Sequence, residues 1–356
     1  QNPAIRRFVS ATREGPIATI RCQALDREKD LLWEPVQVAR RIAQLCEQIN
    51  PDNILVDHVS FGSTLGVYAT GRRFTTLVPG HPSQLPVGKE RYGIPATWPA
   101  CMQPEPNALT DQEDITDRVT KTFTDRWNAA LAIIAPTMSP VKDAFRVHGN
   151  QVLYNSSNHY HPFERSPHLP IHHEFVGPLV RDEELAKPFQ QWLAQEPEKP
   201  LVYVALGTFL SHRADVLSNI AIALQQANVR VAMAIGASPM TAFESLPVGW
   251  LIAPILPQVA LLGECDLVIH HGGNNSVQEA LALGVRQIIL PFSTDQFANA
   301  ADLERTGQAT VISPNHICAT SFAQVVKVTL TLPEPKPIMA QSCATLARIL
   351  RTPIEA

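Results

Sequence analysis

Hydrophobic residues fall along this chain in short continuous runs separated by stretches of helical period, the alternation of buried parallel strands and covering helices. Residues 35–49 place Val38, Ile42, Leu45 and Ile49 at spacings of four, three and four, one face of a helix that Pro35 can start. Pro51-Asp52-Asn53 reads as a turn, and Ile54-Leu55-Val56 as a short buried strand. A small-residue helix over 60–71 leads to a second strand at 74–78. Ahead of these, 2–11 predicts a helix and 17–24 a strand. From 79 to about 120 the chain is Pro-rich and aperiodic, a length of loop that compact domains usually keep for function. A helix is predicted over 119–134 and a strand over 151–154. Residues 169–200 show no strong strand pattern and close on Glu196-Pro197-Glu198-Lys199-Pro200, a linker.

Beyond the linker the alternation restarts. Strands are predicted at 201–206, 229–235, 250–255, 267–270 and 287–290, and helices at 214–227, 258–262, 276–283 and 294–306. The expectation is an α/β fold of two Rossmann-like domains, 1–196 and 197–356, with the ligand in a cleft between them. No solenoid-type period is present.

Composition narrows the class. A chain of 356 residues is too long for one ordinary core. A net charge of −4 provides no basic footprint for nucleic acid. The longest apolar runs are strand-length, so no stable membrane insertion is expected. No signal peptide is seen, and Cys22, Cys46, Cys101, Cys265, Cys318 and Cys343 are scattered without a C-x-x-C, so they read as reduced thiols of a cytoplasmic protein. The chain opens Gln1-Asn2-Pro3 with segments that look like the middle of a domain; the expectation is an absent N-terminal piece, or loops closed up.

The most informative stretch runs Leu267-Val268-Ile269-His270-His271-Gly272-Gly273-Asn274-Asn275-Ser276-Val277-Gln278-Glu279. A buried strand enters a glycine pair and then a helix predicted to begin near Ser276. Ligands of α/β sheets bind at the carboxyl ends of strands. Paired glycines let backbone approach an anion, and the helix start offers unpaired N–H groups, which suits a diphosphate. His271 could donate to the same phosphates. Ser276 to Glu279 also fits a capping box, in which the two side chains satisfy the helix's own donors. Both readings stand at this point.

The continuation extends the pattern. Gly284-Val285 follows the helix, and Pro291, Asp295, Gln296 and Asn299 follow the next strand. The run resembles the donor-binding signature of family 1 glycosyltransferases, close to the plant secondary-product box H-x-G-x-N-S-x-x-E, G-V-P, P-x-x-x-D-Q-x-x-N. It is most similar to bacterial natural-product and macrolide-type members. The resemblance implies the GT-B architecture and a UDP- or TDP-sugar donor. His271, Asn275 and Ser276 would bind the diphosphate within the turn Gly272-Gly273-Asn274. Glu279 would take the ribose hydroxyls, and Asp295 and Gln296 those of the transferred sugar; Asp295 could instead cap its helix. Gly207-Thr208 looks like the other phosphate-side loop, and Leu256-Pro257-Gln258 like the segment against the nucleobase. Two positions depart from the signature. Ile255 stands where plant members carry a base-stacking tryptophan, so the base would rest on backbone and aliphatic groups, and Arg286 replaces the proline after Gly284-Val285.

In the N-terminal half the resemblance is one of layout. Family members use an N-terminal histidine as base and an aspartate to orient it. Asp57 sits where that aspartate should be, or is an ordinary strand-end turn residue; the histidine is not in this sequence. His58 and His81 are substitutes to weigh. The Pro-rich stretch would be acceptor-side. His159-x-His161, near His168, His172 and His173, lacks the Cys or paired carboxylates of a metal set, and no D-x-D occurs, so no metal or other cofactor is expected. The resemblance implies inverting transfer of a hexose or deoxyhexose to a hydroxyl of a hydrophobic small molecule, in antibiotic biosynthesis. The rivals are a catalytically silent sugar-nucleotide-binding subunit and a sugar-nucleotide epimerase. A homodimer stays open.

Overall fold

The computed structural model describes residues 3–338; Gln1, Asn2, Cys343 and the end of the expected second domain lie outside them. Pro3–Glu14 forms α1 and Pro16–Asp30 forms α2, separated by Gly15 at φ 120°. The strand expected over 17–24 is therefore helix. Ile20 and Ala24, one turn apart, are both buried, and Pro16 occupies the first helical position, where its missing N–H is harmless. Then follow α3 (Pro35–Ile49), β1 (Leu55–Asp57), α4 (Phe61–Ala69) and β2 (Thr75–Val78), near their expected places.

The loop after β2 ends at Glu105, not near Thr120, because α5 runs from Pro106 to Ile134. Its buried face reads Gln112, Thr116, Val119, Phe123 and Trp127, a continuous helical spacing whose first two members are polar. Gln112 accepts from Arg21 Nε and donates to Thr116 Oγ1, each at 3.3 Å. These groups can be buried because they are bonded, and a hydrophobic pattern cannot register them. The stretch without a strong strand pattern holds β4 (His173–Phe175), which follows β3 (Gln151–Tyr154), and α6 (Lys187–Leu193).

The second alternation gives β5 (Leu201–Ala205), α7 (Gly207–Leu210), α8 (Ala214–Ala227), β6 (Arg230–Ala234) and β7 (Leu251–Ala253). It continues through α9 (Gln258–Leu262), β8 (Leu267–His270), α10 (Asn274–Leu283), β9 (Arg286–Ile289) and α11 (Thr294–Arg305). β10 (Ala309–Val311) and α12 (Ala319–Thr331) extend it past the elements predicted from sequence.

The described residues form two compact units. One comprises 17–96 and 104–177, the other 3–16, 97–103 and 178–338. The first has a parallel sheet in the order β1-β2-β3-β4, with a core of Phe61, Leu65, Phe123, Trp127 and Phe145. The second has a parallel sheet in the order β10-β9-β8-β5-β6-β7. Val202 and Val204 of β5 enter one hydrophobic cluster, and Leu201, Tyr203 and Ala205 enter another. Alternate residues thus feed both faces, which is why β5 reads as an unbroken apolar run. From β5 the sheet grows one way through β6 and β7, and the other way through β8, β9 and β10. Strand order therefore reverses between β5 and β8, where a doubly wound sheet opens a crevice at its carboxyl ends.

Candidate functional site

The turns after β5 and β8 both leave the sheet at that switch point, since Ala205 pairs with His270. The imidazole of His271 fills the space between them. A methyl group on Gly207 would lie 2.9 Å from His271 Cε1, and one on Gly273 would lie 2.4 Å from His271 Nε2. Both positions must therefore lack a side chain for the ring to stand there. Gly207 has φ 73° and Gly272 φ 86°, which glycine adopts without strain. Burial pushes the His271 imidazole down to about 4, opposed by a backbone hydrogen bond to Ala205, so the ring is neutral near pH 7. Its Nδ1 is buried with no protein partner.

The preceding His270 is a structural group. Its Nδ1 accepts the Gly272 N–H at 3.1 Å and its Nε2 donates to Gln287 Oε1 at 2.9 Å, which fixes the tautomer and braces the turn. Asn299 on α11 adds a second brace, donating from Nδ2 to the Gly272 carbonyl at 3.0 Å.

The helix after this turn starts at Asn274, two residues ahead of the predicted start, with Gly273 as N-cap and no side-chain cap. The capping-box reading of Ser276 and Glu279 is thereby corrected. Both lie inside α10, and Gln258 of α9 joins them, its amide donating to Ser276 Oγ at 3.2 Å and to Glu279 Oε2 at 2.5 Å. Burial raises the Glu279 carboxyl, while the Gln258 bond and Arg181 lower it. Arg181 and Glu183 are additions that sequence reading missed. Glu183 accepts the Val259 and Ala260 N–H groups at 3.0 and 3.3 Å and is paired with Arg181 at 3.1 Å. They lie in a patternless stretch, with no signal to single them out. Leu256 is buried, Pro257 half-buried, Ile255 86% exposed and Phe209 60% exposed, with Thr208 and Asn275 open to solvent.

A capping box does occur, on α11. Ser293 is its N-cap, and Gln296 Oε1 accepts the Phe292 and Ser293 N–H groups at 3.0 and 3.3 Å. Asp295 lies in the first turn, half-buried, and is not the cap. The structure thus gathers Gly207, Thr208, Leu256 to Gln258, His271 to Ser276, Glu279, Asp295 and Gln296 in one unit, at or beyond carboxyl ends of strands.

Asp57 ends β1 in the other unit. Its Oδ1 accepts the Val59 N–H at 2.9 Å, and it borders a largely aliphatic cavity of about 420 Å³ with Ile42, Leu55 and Val67. His58 is buried, bonded through Nε2 to the Gln84 carbonyl at 2.8 Å, and pushed down to about 4 by that burial. His81 is buried with Nδ1 against Ser83 Oγ at 2.8 Å. Neither histidine is placed as an open base. Among the described residues, no three His, Cys, Asp or Glu side chains assemble as a metal-binding group, and no helix is long and apolar enough to cross a membrane.

Known proteins match this arrangement. The family model for UDP-glucoronosyl and UDP-glucosyl transferase matches residues 115–344, more than half of the chain. The uncharacterized UDP-glucosyltransferase YdhE of Bacillus subtilis is 30% identical over 155 residues, which is 43% of this chain and 38% of that protein. The aclacinomycin-T 2-deoxy-L-fucose transferase of Streptomyces galilaeus is 26% identical over 326 residues, 88% of this chain and 66% of that protein. The chain thus spans well under half the length of the first of these relatives. Among solved structures, the glycotransferase of kitacinnamycin aligns with a TM-score of 0.64 at 16% identity, covering 94% of this chain and 78% of that one. The glycosyltransferase VinC, solved in complex with DTDP, aligns at 0.58 and 18% identity, covering 94% and 75%. These likenesses show the two-sheet GT-B fold.

Proposed function

The chain belongs to the family of UDP-glucoronosyl and UDP-glucosyl transferases, and from that premise we propose that it transfers a hexose or deoxyhexose from a TDP- or UDP-sugar to a hydroxyl of a hydrophobic small molecule. One observation carries this reading: a neutral histidine with an unpartnered buried nitrogen, standing in a slot cut by two glycines at an uncapped helix start. A leaving diphosphate needs donors that gain from its charge, and the α10 N-terminus, the turn amides and His271 offer them together. Glu279, half-buried and joined to Ser276 through Gln258, is the ribose acceptor, and Asp295 and Gln296 stand for the sugar hydroxyls. Exposed Ile255 offers the base an aliphatic surface. The thymidine nucleotide in VinC and the deoxy-sugar named for the Streptomyces galilaeus relative favour a TDP-deoxyhexose over a UDP-hexose.

Direct displacement with inversion suits a site that holds the leaving group by hydrogen bonds, with a base taking the acceptor proton. Asp57 would orient that base, and the diphosphate would need no metal. Thermal stabilisation by TDP and UDP, with and without EDTA, tests the donor half. We expect a shift with one nucleotide that survives EDTA and is lost in His271→Ala. No shift with either nucleotide, or an undiminished one in His271→Ala, rejects the site.

A further inference from the structure

Residues 97–103 belong to the compact unit of 178–338, although the chain on both sides of them belongs to the other unit. They pack along α11. Trp98 lies against Phe297, ring centroids 5.2 Å apart, and Phe297 is fully buried. Thr97 Oγ1 donates to Asp302 Oδ1 at 3.3 Å, and the Ala100 N–H donates to Glu304 Oε2 at 2.8 Å. Cys101 Sγ reaches the Val311 carbonyl of β10 at 3.8 Å. Asp302 is itself fully buried and also faces Arg305 at 3.9 Å, so Thr97 is one of the partners of a buried carboxylate.

The placing of these contacts matters. Asp302 follows Asp295 by two helical turns on the same face, and Glu304 follows Phe297 in the same way. Phe297 is the residue directly after Gln296. From the sheet side, Asn299 ties α11 to the Gly272 carbonyl, and the capping box holds its first turn. The helix is thus fixed to the phosphate turn at one side and to the 97–103 segment at the other. Translation or rotation of α11 would move Asp295 and Gln296 directly, and would reach the phosphate turn only through its contacts at Gly272.

We propose that Trp98, with Thr97 and Ala100, is a positioning element that sets where α11 presents Asp295 and Gln296, and so governs the sugar of the donor and not its nucleotide. This rests on the assignment of Asp295 and Gln296 to the sugar, and its test is a difference. Binding of the nucleoside diphosphate alone and of the matching diphospho-sugar is measured by calorimetry in the wild type, Trp98→Ala, Trp98→Phe and Thr97→Val. Trp98→Ala should leave diphosphate affinity within about twofold while weakening the diphospho-sugar about tenfold, a loss of about 1.4 kcal/mol. Trp98→Phe should restore most of it, and Thr97→Val should show a smaller loss of the same kind. Equal losses for both ligands, or none, overturn the positioning role. Wild-type protein that binds the diphosphate but gains nothing from the sugar overturns the sugar assignment of Asp295 and Gln296, and wild-type protein that binds neither overturns the donor site; the positioning role falls with either.

Discussion

His270 and His271 sit side by side at the end of β8, and burial holds both neutral, at about 3 and about 4. His58, in the other unit, is likewise held to about 4. In the unfolded chain each takes up a proton as pH falls through about 6.5. In the folded chain the same proton is refused until pH is near the lower values. Between those limits the unfolded state binds more protons, so stability rises with pH through the window and is lost as pH falls through it. We therefore expect the melting temperature to decline steadily from pH 7 to about 5.5, above the range where most carboxylates titrate. His58→Gln should show a shallower decline, because one of the three groups is gone. A melting temperature flat across that range would mean that these rings are solvated and charged. The motif as a string shows two histidines and two glycines. Which histidine braces the turn and which faces the ligand depends on the register with Gln287 and on the methyl-free slot, and neither is written in adjacent residues.

The helices that follow β8 and β9 differ in how their first amides are satisfied, and that difference decides which end can take an anion. On α11, Ser293 and Gln296 close the first turn on itself. On α10, Gly273 leaves it without a side-chain cap. Ser293→Ala should cost about 1 kcal/mol in denaturant unfolding, the usual worth of such a cap. The same change should disturb sugar-dependent binding more than diphosphate binding, since Gln296 loses its reciprocal partner. An unchanged unfolding midpoint would place the stability of that turn elsewhere, in Asn299 or in the contacts with Trp98. Elements with a dry, continuous pattern were legible from sequence: α3 and α8 have the predicted limits, and β3 and β8 likewise. The failures have physical causes. α2 buries the polar Thr19 beside Ile20 and Ala24 while Leu25 is exposed, so its buried face does not follow its apolar residues, and α5 begins its buried face with a bonded Gln112–Thr116 pair. A three-residue strand such as β4 is too short for any period to show.

For the molecule as a whole, chain order and compactness part company, and this shapes how ligand effects should spread. α1 packs with the unit that holds the glycine turns: Thr12 Oγ1 accepts from Arg213 Nη1 at 3.1 Å, and the Thr12 carbonyl accepts from Asn315 Nδ2 at 2.9 Å. The 97–103 segment does the same at α11. A cut at 196–200, the linker expected from sequence, would therefore not separate the two units, because those residues lie inside the unit made of 3–16, 97–103 and 178–338. A nucleoside diphosphate bound at the switch point should protect from hydrogen exchange the amides of 207–211, 256, 258 and 271–276. The first-turn amides of α10 should show the largest change, because no helical carbonyl precedes them. On the proposed assignment of Asp295 and Gln296 to the sugar, protection should extend weakly to 97–103 with the diphospho-sugar and not with the diphosphate. The strands β1 to β4 should exchange as before. Protection confined to 17–96 and 104–177 would place the nucleotide in the other sheet, and the order of strands around β5 and β8 would then have no bearing on where the ligand binds.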